Sequence, residues 1–208
     1  MSSLMRRVRT FRAPALESAV IAHGRTTRRV LLRPYVMSDL DDWLGIEQDA
    51  SVRDALGWPT RGTAEAVERL RARTHHTALR HVGDLLVLAA EYEGHVVGDV
   101  SLHLRTIAPE TRSVEMGWLL RSDARGQGLA TEAAGAILDL AFGEAGATLV
   151  VAVVAGDNQS SAKLALRLGF RLAASRREAS TFVLSREDYA AGSRLTGTER
   201  PTSEGSAE

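Results

Sequence analysis

Val114-Glu115-Met116-Gly117-Trp118-Leu119-Leu120 is followed by Arg121-Ser122-Asp123-Ala124 and then by Arg125-Gly126-Gln127-Gly128-Leu129-Ala130-Thr131-Glu132-Ala133. This reads as a strand, a short loop, a glycine-rich turn and the start of a helix. The first amides of a helix have no acceptor within it and carry the positive end of its dipole. Gly126 and Gly128 have no Cβ, so a large anion can come close to the backbone, and a phosphate or pyrophosphate is the natural guest. A P-loop would need Gly-Lys-Ser/Thr, which is absent. A dinucleotide fingerprint would need G-x-G-x-x-G, but Thr131 stands where the third Gly or Ala belongs. On the glycines alone, a tight turn before a core helix reads as well as an anion site.

Outward from this stretch the pattern is mixed. Arg29 to Arg33 predicts a strand stopped by Pro34. Ser38, followed by Asp39, Asp41 and Asp42, predicts a helix start, and Gly57-Trp58-Pro59 breaks it. Thr63 opens a second helix with Ala66, Val67, Leu70 and Ala78 apolar and with Arg69, Arg71, Arg73 and Arg80 on a solvated face. The apolar run 84–91, a turn at Glu93-Gly94 and a returning run 95–104 predict a hairpin. After the strand 113–120, a helix is predicted over 127–142, a β-branched strand over 148–154 and a helix over 158–168 closed by Gly169. A final hairpin covers 170–174 and 180–184. The order β-α-α-β-β-β-α-β-α-β-β predicts an α/β fold, with a mostly antiparallel twisted sheet, one parallel junction and flanking helices. Residues 1–27 are expected to be a flexible or peripheral arm, 28–190 one domain, and 191–208 a disordered tail.

The chain has 208 residues, no cysteine and a formal net charge of zero. The length suits one domain with a real core. The lack of cysteine excludes disulfides, thiolate catalysis and cysteine-ligated zinc. The balanced charge argues against a nucleic-acid binder, and no apolar run approaches the roughly 20 residues that span a bilayer. No secretory signal is read at the N-terminus, and a cytoplasmic protein is expected. His75, His76 and His81 lack a further ligand on one face, so no metal is expected.

In this context the segment resembles the Gcn5-related N-acetyltransferase superfamily. The cofactor signature Arg/Gln-x-x-Gly-x-Gly/Ala is matched by Arg125, Gly128 and Ala130. Thr131-Glu132-Ala133, Asn158-Gln159-Ser160-Ser161, Leu168-Gly169-Phe170 and the opening Leu31-Leu32-Arg33-Pro34 with Asp39 and Trp43 are similar to the branch that acetylates ribosomal-protein N-termini (RimJ/RimL-like). The likeness covers about residues 29–188. It implies an acyl-CoA-dependent N-acetyltransferase with a splayed strand pair forming the acyl-CoA cleft. Acetyl-CoA would be the co-substrate, with its pyrophosphate on the amides of Arg125, Gly126, Gln127, Gly128, Leu129, Ala130 and Thr131. The pantetheine arm would run beside Glu115 to Leu120, and an amide near Trp118 or Leu119 would polarise the thioester. Asn158 would face the pantetheine, and Ser161 could reach the leaving thiolate.

Direct attack of an amine on a thioester needs proximity first and proton transfer second. Glu115 is the candidate base; its plain alternative is a strand carboxylate paired with an arginine such as Arg112. Ser161 is the candidate acid, against a serine that only caps or packs. The expected acceptor is a primary amine, foremost a protein or peptide N-terminus. A small amine such as an aminoglycoside or polyamine is the alternative, and a non-catalytic acyl-CoA sensor is the reading from another class. Relatives often form homodimers; the sequence itself is silent on assembly.

Overall fold

A computed structural model describes residues 14–195. Ten strands form two sheets. The large sheet has eight, in the order β2 (Arg25–Thr26), β3 (Leu31–Arg33), β5 (Leu85–Tyr92), β6 (His95–Thr106), β7 (Ser113–Leu120), β8 (Leu149–Ala155), β10 (Ala179–Ser185), β9 (Arg171–Ser175). Every pairing is antiparallel except β7 with β8, which is parallel. The small sheet pairs β1 (Ala15–Ile21) with β4 (Ala78–His81). The helices are α1 (Leu40–Gln48), α2 (Ala50–Leu56), α3 (Thr63–His75), α4 (Leu129–Asp139), α5 (Gln159–Arg167) and α6 (Arg186–Leu195).

Side chains of a strand alternate between faces, and here each face has its own core. Leu86, Leu88, Leu102, Leu104, Val114 and Met116 meet Leu129, Ala133, Ile137 and Leu138 of α4 on one side. Val87, Ala89 and Val96 meet Trp43 and Ile46 of α1 and Leu70 of α3 on the other. The centre of β5 is thus covered on both sides, which explains its unbroken apolar run. Trp43 is fully buried, and its indole Nε1 donates to the Ala66 carbonyl at 2.9 Å, fixing α1 against α3.

Several features depart from the sequence reading, among them Ala78 and Arg80, read into the second helix but found in β4 after α3 has ended at His75. The stretch 15–26 was expected to belong to a peripheral arm, yet it contains β1 and β2, and Leu16 and Val20 are buried in the main core. The break in register between Ala15 and Val20 hides the two-residue period that would have announced β1. Residues 1–13 of that arm lie outside the described residues. The predicted first helix is two, α1 and α2, with Asp49 between them in extended conformation. The expected tail begins within α6, where the Tyr189 ring stacks on Phe142 with centroids 4.6 Å apart; residues beyond 195 lie outside the described residues.

The α1–α2 break has a clear cause. Asp49 Oδ1 accepts from the amides of Ser51 (2.9 Å) and Val52 (3.3 Å), capping α2, and Oδ2 accepts from the Ser122 amide at 2.7 Å. One carboxylate therefore starts a helix and ties it to the loop after β7. Burial pushes the Asp49 carboxyl up, but the bonds from Ser122, Ser51 and Val52 outweigh it and hold the group well below the usual carboxylate range. Such a group stabilises fully above its unfolded value of about 3.9 and progressively less as pH falls through the depressed one. Asp49→Ala should cost about 1–2 kcal/mol, the usual cost of losing a cap. In denaturant titrations the gap to wild type should be constant at neutral pH and shrink only below about pH 4. An equal gap at all pH values would show that the charge is not what matters.

Candidate active site

The site begins where β7 and β8 part. Their parallel pairing covers only Ser113–Leu149, Val114–Val150 and Glu115–Val151. Beyond it β7 stays paired to β6 as far as Leu120, and β8 to β10 as far as Ala155. A wedge opens between Met116–Leu120 and Ala152–Ala155. The Arg121 amide donates to the Val97 carbonyl at 2.8 Å across to β6. Backbone groups alternate along a strand, so the Trp118 and Leu120 amides point the other way, into the wedge.

Two cavities occupy this opening. The larger, about 350 Å³, lies between β7, the glycine turn and the first turns of α4 and α5, with Ala55 and Leu56 of α2 beside it. The smaller, about 200 Å³, is lined on its far side by Arg73, Asp99, Ser101 and Trp58. The two share Ala55, Leu56, Trp118, Leu119, Asn158 and Ser161. They meet at the point where the strands separate.

At the glycine-turn end of the larger cavity, α4 starts at Leu129, two residues after the expected start at Gln127. Gly126 (φ 79°) and Gly128 (φ 83°) both adopt the left-handed conformation, and Gly128 caps the helix. Among the described residues, the amides of Gly126, Gln127, Gly128, Leu129 and Ala130 donate to no protein acceptor. The Gln127 carbonyl accepts from Arg29 Nη2 at 2.8 Å. Arg29 is held in turn by Glu132 of α4, whose other oxygen accepts from Thr27 Oγ1 and the Arg29 amide, both at 3.1 Å. Burial pushes the Glu132 carboxyl up, while Arg29 and Thr27 pull it below its usual value. This clamp was not anticipated: Arg29 lies about a hundred residues from Glu132 in the chain, and no local pattern joins them.

Of the sequence-predicted residues, Trp118, Leu119, Leu120, Arg125, Gly126, Gly128, Leu129, Ala130, Thr131, Asn158 and Ser161 line the larger cavity. Gln127 does not. The Arg125 side chain turns back, Nε donating to the Leu120 carbonyl at 2.9 Å. Asn158 caps α5, its Oδ1 accepting from the Ser161 amide at 3.0 Å. Ser161 Oγ accepts from the Trp118 indole at 3.2 Å. Lys163 and Arg167, not singled out in the sequence, add positive charge to the same wall. Their four-residue spacing, which puts them on one helical face, was the available signal.

Glu115 lines neither cavity. It sits at the apex of the wedge, opposite His103, and is ion-paired with Arg105, whose Nε lies 3.1 Å from Oε2. The arginine suggested as its partner, Arg112, instead donates to the Ile107 and Ala145 carbonyls. Arg69 and Arg73, expected on a solvated face of α3, turn inward. Arg69 lies over Trp58 at 4.1 Å and Arg73 over Trp43 at 4.2 Å, a cation–π arrangement. Among the described residues no group of three His, Asp or Glu side chains is placed to hold a metal ion, and no helix is long and apolar enough to cross a membrane.

Residues 29–171 match the family model described as "Acetyltransferase (GNAT) domain". Many solved structures share the fold. An acetyltransferase from Agrobacterium tumefaciens str. C58 is 25% identical with a TM-score of 0.60, over 77% of this chain and 93% of that one. The microcin C7 self-immunity acetyltransferase MccE, solved with acetyl-CoA and AMP, is 19% identical with a TM-score of 0.61, over 76% and 93%. RimL, the ribosomal L7/L12 alpha-N-protein acetyltransferase, is 16% identical with a TM-score of 0.62, over 81% and 94%. No curated protein sequence matches the chain.

Gly128 offers a direct test of the anion end. A Cβ there would meet Arg29 Nη2 at 3.4 Å and would be held at a φ that L-residues disfavour by about 1–2 kcal/mol. Gly128→Val should weaken coenzyme A binding, measured by calorimetry, at least tenfold. Unchanged affinity would remove this turn from the binding site.

Proposed function

We propose that this chain, which belongs to the acetyltransferase (GNAT) domain family, transfers the acetyl group of acetyl-CoA to a primary amine, foremost a protein or peptide N-terminal amine. Donor and acceptor react together in one ternary complex. The observation that carries this is the meeting of two cavities at Trp118, Leu119, Asn158 and Ser161. One is walled by unpaired amides and basic side chains and suits a pyrophosphate-bearing donor. The other approaches the same point from the opposite side and suits an acceptor.

The free amides of Gly126 to Ala130, at the positive end of α4, hold the pyrophosphate, with Arg125, Lys163 and Arg167 adding charge around it. The pantetheine lies in the wedge along β7, where it takes the place of the lost strand partner for the outward amides of Trp118 and Leu120. The Trp118 amide, at the junction, polarises the thioester carbonyl. The amine nitrogen attacks the carbonyl carbon, the C–N bond forms and the C–S bond breaks. Ser161 Oγ already accepts from the Trp118 indole, so its own hydrogen is free to go to the departing sulfur. RimL, which shares the fold, acts on a protein α-amine, and the open side of the smaller cavity suits an extended acceptor. Binding of the two substrates side by side supplies most of the acceleration, and proton transfer a further factor of roughly 10² to 10⁴.

Free thiol released from acetyl-CoA should appear with N-terminal peptides and not without an amine. Ser161→Ala should lower kcat roughly 10- to 100-fold with coenzyme A affinity unchanged. Coenzyme A binding without turnover for peptides, polyamines and aminoglycosides alike would replace the enzyme reading with that of a sensor.

A further inference from the structure

The smaller cavity contains a carboxylate that acetyl transfer has not yet used. Asp99 stands in the apolar stretch Val96–Val100 of β6 and is almost wholly buried. Tyr35 Oη donates to its Oδ2 at 3.1 Å, and Arg73 Nε donates to the same oxygen at 3.0 Å. Oδ1 makes no bond within the described protein and is not among its sealed, unpartnered polar atoms, and Asp99 lines the smaller cavity. A buried charge is expensive unless paired. Here Arg73 pairs with the carboxylate through Oδ2, and Oδ1 keeps an acceptor position for a guest.

The position of this oxygen is informative. Asp99 is directly opposite Leu119 in the β6–β7 ladder. Since the Arg121 amide donates to the Val97 carbonyl, Asp99 and Leu119 form the next hydrogen-bonded pair along, with Cα atoms about 5.5 Å apart and side chains on one face. Leu119 belongs to both cavities, next to the amide assigned to the thioester carbonyl. Glu115 lies four residues further along β7, about 13 Å at 3.3 Å per residue, and lines neither cavity. Ser101 also lines the cavity, facing Gly117, where a Cβ would collide with the serine Oγ at 2.7 Å. Small groups there keep the path to Asp99 open, and the Trp58 ring and α2 form the opposite wall.

We propose that Asp99 Oδ1 binds the acceptor's ammonium group and orients its nitrogen toward the thioester carbonyl. This inference rests on the acetyl-transfer reading above. The ammonium loses one proton to water at the cavity mouth and its lone pair attacks the carbonyl carbon; as the C–S bond breaks, Ser161 gives its hydroxyl proton to the sulfur and takes up the amine's second proton. Arg73 and Tyr35 act through Asp99, holding Oδ2 so that Oδ1 keeps its direction. An acceptor that is cationic before reaction is thereby selected over neutral nucleophiles.

The test uses the full chain and the peptide amine it acetylates fastest. Asp99→Asn keeps the shape of the side chain and removes its charge. KM for the amine should rise at least 30-fold while coenzyme A affinity stays within twofold. A second measurement needs no variant. Against wild type, the same peptide with its α-ammonium replaced by hydrogen should inhibit competitively at least tenfold more weakly than the N,N-dimethylated peptide, which keeps the charge but is not acetylated. Equal inhibition by the two, or an unchanged amine KM in Asp99→Asn, overturns the role of Asp99. A parallel loss of coenzyme A affinity in Asp99→Asn assigns the residue to folding instead and also overturns it. Absence of acetyl transfer by wild type would be a failure of the enzymatic reading, distinct from all of these.

Discussion

Two neighbouring parallel strands that stop bonding after three residues set the terms for everything else in this protein. Backbone donors and acceptors buried away from water must find partners. Once β7 and β8 diverge beyond Glu115, the inner edge of β7 has none from the sheet. The fold does not close the gap with side chains. It places helix starts at its margins and a thin helical roof above it, leaving an edge whose unsatisfied groups invite an extended guest. The unpaired edge offered to an extended guest is thus a property of the sheet topology before any side chain is considered.

Holding such an opening apart requires support on both sides, and long-range polar ties provide it. Glu132, Arg29 and Thr27 fix the turn before α4 to the β2–β3 connection. Asp49 fixes α2 to the loop after β7. Both ties join segments remote in sequence to the short stretch between β7 and α4, which contains the two left-handed glycines. The rigidity of the glycine turn is therefore imported from its surroundings, as it must be for residues that lose the most conformational freedom on folding.

The strand, turn and helix of residues 113–139 were readable because three independent signals coincide there: an apolar run, glycines where a tight turn is needed, and an alanine-rich helix of regular period. The split of the first helix was not, because no Gly or Pro marks residue 49: the local signal is a lone Asp that caps α2 through the Ser51 and Val52 amides, reinforced by an amide seventy residues away. The inward turn of Arg69 and Arg73 was missed for a related reason. Arginine at helical spacing reads as surface, and only the two tryptophans meeting across α1 and the 57–62 connection make a buried place for it. Asp99 left a fainter trace, a single acid inside an otherwise apolar strand. Glu115, the more conspicuous carboxylate on β7, is engaged by Arg105 at the blind apex of the wedge.

Ala55 and Leu56, at the end of α2, border both cavities. Under the proposed reading, with donor in one cavity and acceptor in the other, this two-residue element cannot be displaced by one occupant without altering the site of the other. Thermodynamic linkage makes any such influence equal in both directions. Whatever strain or relief one occupant causes at this shared helix end is felt by the other to the same degree, whichever enters first.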